Sequence, residues 1–244
     1  MPLILVTGAS TGLGLAAAQA MADDGHQVVV HARDRDRLPD PAVLEPMHGT
    51  VYGDLSRMDD TLAIAEQANG FGRFDAVIHN AGVYRDPGAL PVNTVAPYLL
   101  TAAMAKPRRL IYLSSGYHQS GSTDLDAIDF GDASARRGAY EDSKLYVTAL
   151  AFAVARRWAD TIAHVVDPGW VPTRMGGVGA PDDLEEGHRT QVWLATAPDG
   201  TIEPRTGGYW HHHRISRSHP AASDPDFQQE LIERLEAHTG VPLG

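Results

Sequence analysis

Leu3-Ile4-Leu5-Val6-Thr7-Gly8-Ala9-Ser10-Thr11-Gly12-Leu13-Gly14 decides the fold by the order of its parts. Four apolar residues run into a glycine-rich turn. The turn runs into an alanine-rich stretch where Leu13, Ala16, Ala17, Ala20 and Met21 recur at helical spacing until Gly25. Strand, tight loop and helix, in that order, aim the first N–H groups of the helix at an anion. The diphosphate of a nucleotide suits this arrangement. Two rival readings share the residues. Gly8-Ala9-Ser10-Thr11-Gly12 also fits G-x-S-x-G, the nucleophile elbow of α/β hydrolases, with Ser10 as nucleophile. That elbow follows a central strand and needs an upstream oxyanion-hole loop, which nothing before Gly8 would supply. The dinucleotide loop therefore ranks first, a plain turn second and the hydrolase last.

At 244 residues, 43% hydrophobic and 21% charged, the chain fits one soluble α/β domain with a full core. A net charge of -11 argues against nucleic acid and anionic membrane as partners. No cysteine is present, which excludes disulfides and thiolate chemistry and agrees with an expected cytoplasmic location. No apolar run approaches the ~18 residues of a membrane span. The first residues enter the strand directly, so no secretory leader is expected.

Further strands are expected at Val28–Val30, Thr50–Tyr52, Asp75–Ile78, Leu110–Leu113, Ile162–Val166 and Gly208–Trp210. Helices are expected over 57–68, 140–158 and 224–238. Strands alternating with helices predict a parallel, doubly wound sheet. The Gly/Pro-rich stretch 168–181 reads as a mobile loop inside the domain.

The second strand ends His31-Ala32-Arg33. In nucleotide-binding sheets this end faces the adenosine ribose, where an acid bonds the 2′-hydroxyl and an arginine accommodates a 2′-phosphate. Arg33 lies 19 residues beyond Gly14, near the expected interval. It favours NADP over NAD, against the plainer reading of a solvated arginine.

Tyr140-Glu141-Asp142-Ser143-Lys144 puts a phenol and an ammonium at i and i+4 on one helix face. The ammonium should draw the phenol, ordinarily near pKa ~10, towards neutral pH. Such a phenol can give a proton to a carbonyl oxygen or take one from an alcohol. Most such pairs only decorate a surface. This one gains meaning from the loop upstream and from Ser114-Ser115, which follow the fifth strand at the ligand-holding edge of the sheet.

With these motifs the chain resembles the short-chain dehydrogenase/reductase family over nearly its whole length. The family's T-G-x-x-x-G-x-G matches Thr7, Gly8, Gly12 and Gly14, and its N-A-G matches Asn80-Ala81-Gly82. Its helix asparagine matches Asn93, its serine Ser115, and its tyrosine and lysine Tyr140 and Lys144. Its P-G and following threonine match Pro168-Gly169 and Thr173, and its adenine-side aspartate matches Asp54. The resemblance implies a Rossmann-type, three-layer, doubly wound parallel sheet of seven strands in the order 3-2-1-4-5-6-7. It implies a single NAD(P)-binding domain over 1–244 with a mobile substrate loop at about 170–185. It further implies cofactor contacts from Gly8, Ser10, Thr11, Gly12, Leu13 and Gly14, from Arg33, Asp54 and Leu55, and from Asn80, Ala81 and Gly82. Tyr140, Lys144, Pro168, Gly169, Val171 and Thr173 complete that set.

The implied activity is NADP(H)-dependent interconversion of a ketone or aldehyde and its alcohol. Ser115 would orient the carbonyl and Tyr140 would pass the proton. Lys144 would hold the nicotinamide ribose, and Asn93 a water linking Lys144 to solvent. The alternative is a non-catalytic NADP-binding sensor, which would have lost the tyrosine or lysine.

The long interval from Ser115 to Tyr140, with Asp129-Phe130 inside it and Ser143-Lys144-Leu145 after it, is similar to the retinol dehydrogenase branch. Glu185-Glu186-Gly187, Leu194-Ala195-Thr196-Ala197-Pro198 and Thr206-Gly207-Gly208-Tyr209-Trp210 agree with that branch. The chain departs from the family between Asn80 and Asn93 and between Asn93 and Ser115, which are both short, with Pro107 limiting the helix. The resemblance implies a dimer interface on these two helices, so their trimming points to a monomer or another contact. A lipophilic substrate pocket is expected from loops near 83–90, 116–122 and 170–185, with Tyr117, His118, Trp170 and Met175 as candidate contacts. His211-His212-His213 would alternate faces if it continued a strand, so no metal site is expected.

Overall fold

The computed structural model describes residues 1–37, 41–84, 88–131 and 137–244. Eight strands make one sheet: β1 (Leu3–Val6), β2 (Gln27–Ala32), β3 (Gly49–Tyr52), β4 (Ala76–His79), β5 (Arg109–Leu113), β6 (Ile162–Asp167), β7 (Tyr209–His211) and β8 (Arg214–Ile215). Their order is β3-β2-β1-β4-β5-β6-β7-β8, and β1 to β7 pair in parallel. The order reverses at β1, which lies between β2 and β4. Connections leave on opposite faces there and open a crevice at the carboxyl ends of the strands.

Period-two alternation divides the core into two layers. Ile4, Val6, Val28, Val30, Ile111 and Leu113 face one side, against Ala17, Ala18 and Met21 of α1 (Gly12–Asp23) and Leu194 and Ala195 of α6 (Leu184–Thr196). Leu5, Val29, Val77, Leu110 and Tyr112 face the other. There they meet α3 (Met58–Asn69), α4 (Ala96–Ala103) and α5 (Ala139–Arg157). The short α2 (Pro41–Leu44) precedes β3, and α7 (Pro225–Thr239) follows the sheet. The three-layer, doubly wound architecture and the order of the first seven strands match expectation.

The sheet is nonetheless not purely parallel. β8 returns antiparallel to β7, pairing Trp210 with Ile215 and His211 with Arg214. His212 and His213 form the two-residue turn with φ of 45° and 60°. Two successive positive φ values are the hairpin geometry that matches strand twist. The three histidines therefore do not run on as one strand, and the rings of His211 and His212 stack at 3.9 Å. The stretch expected as a loop to about 185 runs into α6 at Asp183, whose carboxylate accepts from Glu185 N–H and caps the helix.

The trimmed region after Asn80 folds as a π-turn over Pro91–Val95 leading into α4. Outward from α4 and α5 lie α7 and the segment after it. Phe227, Leu231, Ile232, Leu235 and Leu243 share a core cluster with Tyr98, Leu150 and Trp158. Tyr98 donates to Val241 O at 2.6 Å, Lys106 donates to Gly244 O at 3.0 Å, and the Trp158 indole N–H donates to Gly244 O. Among the described residues no helix is long and apolar enough to cross a membrane.

Candidate active site

The glycine-rich turn is shaped by close approach. Gly8 has φ +64°, and a Cβ there would lie 2.7 Å from Ala81 Cα. A Cβ on Gly14 would lie 2.3 Å from Asn80 Nδ2, the amide that donates to Thr7 O at 2.9 Å and Gly8 O at 3.2 Å. Only glycine admits that clamp. Thr7 Oγ1 accepts from Ala81 N–H at 3.0 Å. Asn80, Ala81 and the 8–14 turn are thus one hydrogen-bonded unit. Thr11 is the N-cap of α1 and makes no side-chain cap, which leaves the helix N-terminus to an anion. Thr173 reaches across from the loop after β6, its Cγ2 3.2 Å from where a Gly12 Cβ would be.

At the other end of the crevice, Arg33 Nε lies 3.5 Å from Asp54 Oδ2, with the two side chains 46% and 28% exposed. Burial alone would raise Asp54. Hydrogen bonds from Ser56 and the charges of Arg33 and Arg57 outweigh it and hold the carboxyl low. Leu55 packs in the core. Sequence reasoning missed His31, buried beneath both ends. Its ring Nδ1 accepts from Gly8 N–H at 3.1 Å, and its Nε2 lies 3.0 Å from Gly53 O.

Between these ends and the mouth, the candidate catalytic side chains converge. The Ser115 side chain lies near enough to the Tyr140 phenol to lower its pKa. Lys144 Nζ is 5.5 Å from the Tyr140 ring centre and donates to Leu113 O at 2.9 Å. Asn93 sits in the π-turn, a local irregularity of the kind helices carry at functional sites. Its Oδ1 accepts from Val83 N–H at 2.9 Å, and its Nδ2 donates to Val83 O at 3.0 Å and Ser143 Oγ at 2.9 Å. Ser143 in turn donates to Tyr140 O at 2.7 Å. Gly82 lies against this group: its missing Cβ would be 3.4 Å from Asn93 Oδ1 and 3.5 Å from Lys144 Nζ.

The electrostatics correct one expectation. The phenol of Tyr140 is pushed up to about 12, first by burial and then by Asp167, Tyr84 and Glu141, with Ser115 pulling down. Lys144 does not draw it towards neutrality. Its ammonium is engaged by Leu113, and burial lowers Lys144 itself to about 8.

Ser115 is also held from outside the motif. His118 Nε2 accepts from His219 N–H at 3.0 Å, so its proton sits on Nδ1, which donates to Ser115 O at 2.7 Å. Tyr209 stacks on His118 at 4.6 Å and donates to Asp167 Oδ2 at 3.4 Å. Of the expected substrate contacts, His118 is therefore a buried brace. Tyr117 and Tyr84 meet the Tyr140 ring at 6.1 and 4.7 Å. Trp170 is 59% exposed, with its indole donating to Gly176 O at 2.8 Å. Met175 reaches back to Gly82. Val171 is buried, and Gly169 N–H donates to Asp167 Oδ1 at 3.1 Å beside Pro168. Ser10 lies on the turn with no part in the Ser115 cluster. Residues 85–87 of the first expected pocket loop lie outside the described residues.

Residues 2–98 match the family model for short chain dehydrogenase. The chain is 36% identical to the short-chain dehydrogenase chyC of Penicillium rubens, over 100% of this chain and 99% of the other. It is 25% identical to human retinol dehydrogenase 14, over 98% and 86%. A Shigella flexneri short chain dehydrogenase complexed with NADP superposes with a TM-score of 0.70 at 22% identity, over 87% of this chain and 97% of that one. At that identity the likeness concerns the fold.

Proposed function

Because the chain belongs to the short-chain dehydrogenase/reductase family, and so is an NAD(P)-binding oxidoreductase, we propose that it reduces a lipophilic ketone or aldehyde with NADPH, reversibly, through Tyr140. The observation that carries this is the convergence of Ser115 and Lys144 on the phenol of Tyr140, Ser115 near enough to lower its pKa and the Lys144 ammonium 5.5 Å from its ring centre.

The residues fit a dinucleotide. The uncapped start of α1 and the Gly8–Gly14 turn suit a diphosphate, and the half-exposed Arg33 suits a 2′-phosphate. When bound, the nicotinamide supplies or accepts the hydride. Ser115 orients the carbonyl oxygen and supports the negative charge that develops on it. Tyr140, protonated at neutral pH, gives that oxygen its proton. Lys144 holds the ribose and the ring of Tyr140. Asn93 serves the proton relay through its main chain. Its side chain is taken by Val83 and Ser143, and Pro97, four residues on, brings no N–H to the Asn93 carbonyl. Exposed Tyr117, Trp170 and Met175 at the mouth favour an apolar substrate.

The test is a panel of lipophilic aldehydes and ketones followed by NADPH absorbance. Turnover of at least one, with NADH slower, is expected. Cofactor binding with no turnover across the panel would favour a nucleotide sensor instead.

A further inference from the structure

His31 holds two successive N–H groups of the glycine-rich turn. Its main-chain oxygen accepts from Ala9 N–H at 3.0 Å, and its ring Nδ1 accepts from Gly8 N–H at 3.1 Å. The opposite ring nitrogen, Nε2, lies 3.0 Å from the carbonyl oxygen of Gly53. An N–H can only donate and a carbonyl can only accept. The two partners therefore fix the ring as neutral, with its proton on Nε2 and its lone pair on Nδ1. The residue is 3% exposed. One side chain thus bridges the turn after β1 and the turn after β3, joining the phosphate end of the crevice to its adenine end.

The geometry points to His31 as a positioning residue for the dinucleotide: its neutral ring holds Gly8, and with it the 8–14 turn, in the shape that receives the diphosphate, and protonation of the ring releases it. This rests on reading that turn as the cofactor clamp. A proton on Nδ1 would set two donors against each other. Gly8 cannot rotate away cheaply, because its φ of +64° and its approach to Ala81 are already set by the Asn80 unit. Few charges face the ring. Burial favours the neutral form most strongly, Asp54 from the turn after β3 opposes it, and Arg33 from the same strand supports it. β1 and the glycine turn bring no titratable side chain.

Binding of NADPH, titrated from pH 5 to pH 8 on the full chain, tests this with two variants. In His31→Asn the amide oxygen falls near the place of Nδ1 and can still accept from Gly8. In His31→Gln the amide reaches towards Gly53 and leaves Gly8 N–H without an acceptor. His31→Asn should bind within about threefold of the unmodified chain at pH 7, and His31→Gln roughly tenfold more weakly. Between pH 7 and pH 5 the unmodified chain should lose several-fold more affinity than His31→Asn. The phosphate of the ligand titrates alike in all three, so the difference reports the ring. Parallel pH curves for the unmodified chain and His31→Asn overturn the inference, as does full affinity in His31→Gln.

Should either variant fail to fold, the unmodified chain still decides by reciprocity. Saturating NADPH must lower the pKa of the His31 ring read by NMR, and an unchanged value overturns the inference. If the unmodified chain binds neither NADPH nor NADH, the cofactor reading falls together with this one. Binding that is indifferent to His31 removes this one alone.

Discussion

The Lys144 ammonium donates to the main-chain oxygen of Leu113 at 2.9 Å while only 4% of the residue is exposed. Leu113 ends β5 and Ser115 follows it closely, so this bond ties the helix of Tyr140 to the strand of Ser115. Burial, opposed by Asp167, brings Lys144 down to about 8. The unfolded chain keeps the lysine protonated to about 10.4. Between pH 8 and that value the unfolded chain binds more protons than the folded one, and stability from this residue rises with pH. Below pH 8 the cost of burying the charge is present in full. Lys144→Met should therefore lose turnover by orders of magnitude, yet match or exceed the stability of the unmodified chain at pH 7. The difference is on the order of 1–3 kcal/mol, because a buried charge is removed while one carbonyl loses its donor. From pH 8 to pH 10 the unmodified chain should gain on the variant. Denaturant unfolding of both across that range checks this, and the opposite trend would refute it.

Burial sets the phenol of Tyr140 high, at about 12. At neutral pH it is protonated and ready to donate, so reduction should hold steady from pH 6 to pH 8. Oxidation needs the phenolate, so its kcat/KM should climb with pH, up to tenfold per unit, above pH 7. Tyr140→Phe should bind NADPH normally and lose turnover by roughly three orders of magnitude in both directions. Full activity in that variant, or oxidation already level at pH 7, would remove Tyr140 from the proton-transfer role.

Five of the parallel strands were legible because they are short runs rich in valine, leucine and isoleucine between turn residues. Tyr140, Lys144, Ser115 and the glycines were legible because their chemistry is tied to spacing along one helix, one strand end or one turn. β8 was not, since Arg214 and Ile215 are two exposed residues without a pattern. The π-turn and α4 were obscured because Pro91 and Pro97 read as breakers and Ala96 to Thr101 are buried all round, which erases helical periodicity. His31 and His118 act through bonds to residues far off in sequence: Gly8 and Gly53 for one, Ser115 and His219 for the other. The state of the phenol was misjudged for a related reason. Lys144 was read as its neighbour at i+4, whereas burial depends on everything packed around it.

Arg33 does not wait at the strand end as a free cation. It stands 3.5 Å from Asp54, the acid expected beside the adenine. Both are partly exposed, so the pair itself adds little stability. Its consequence is for selectivity. A 2′-phosphate would compete with Asp54 for the guanidinium, which lowers the NADPH preference that Arg33 alone would give. Asp54→Asn should tighten NADPH by a few-fold and leave NADH within twofold. Arg33→Asp should weaken NADPH by about ten- to a hundredfold through loss of a charge-assisted contact and added repulsion, with a much smaller change for NADH. Calorimetric titration of both cofactors against both variants measures this. Equal losses for NADPH and NADH in Arg33→Asp would exclude a 2′-phosphate contact.

α4, in the region expected to carry a dimer interface, and α5 beside it are buried by the chain itself. α7 lays Phe227, Leu231, Ile232 and Leu235 into the cluster that contains Tyr98 and Leu150, and the bonds of Tyr98 to Val241 and of Trp158 to Gly244 close its edge. A second copy docking there would have to displace this segment and leave its apolar side chains in water. The protein should therefore run as a 26.2 kDa monomer in light scattering at micromolar concentration. Leu231→Asp puts a charge into that fully buried seam. It should cost about 3 kcal/mol or more and lower the melting temperature by several degrees, with self-association through the exposed α4–α5 face. A stable dimer of the unmodified chain packed through residues 82–106 would show that α7 does not replace the partner.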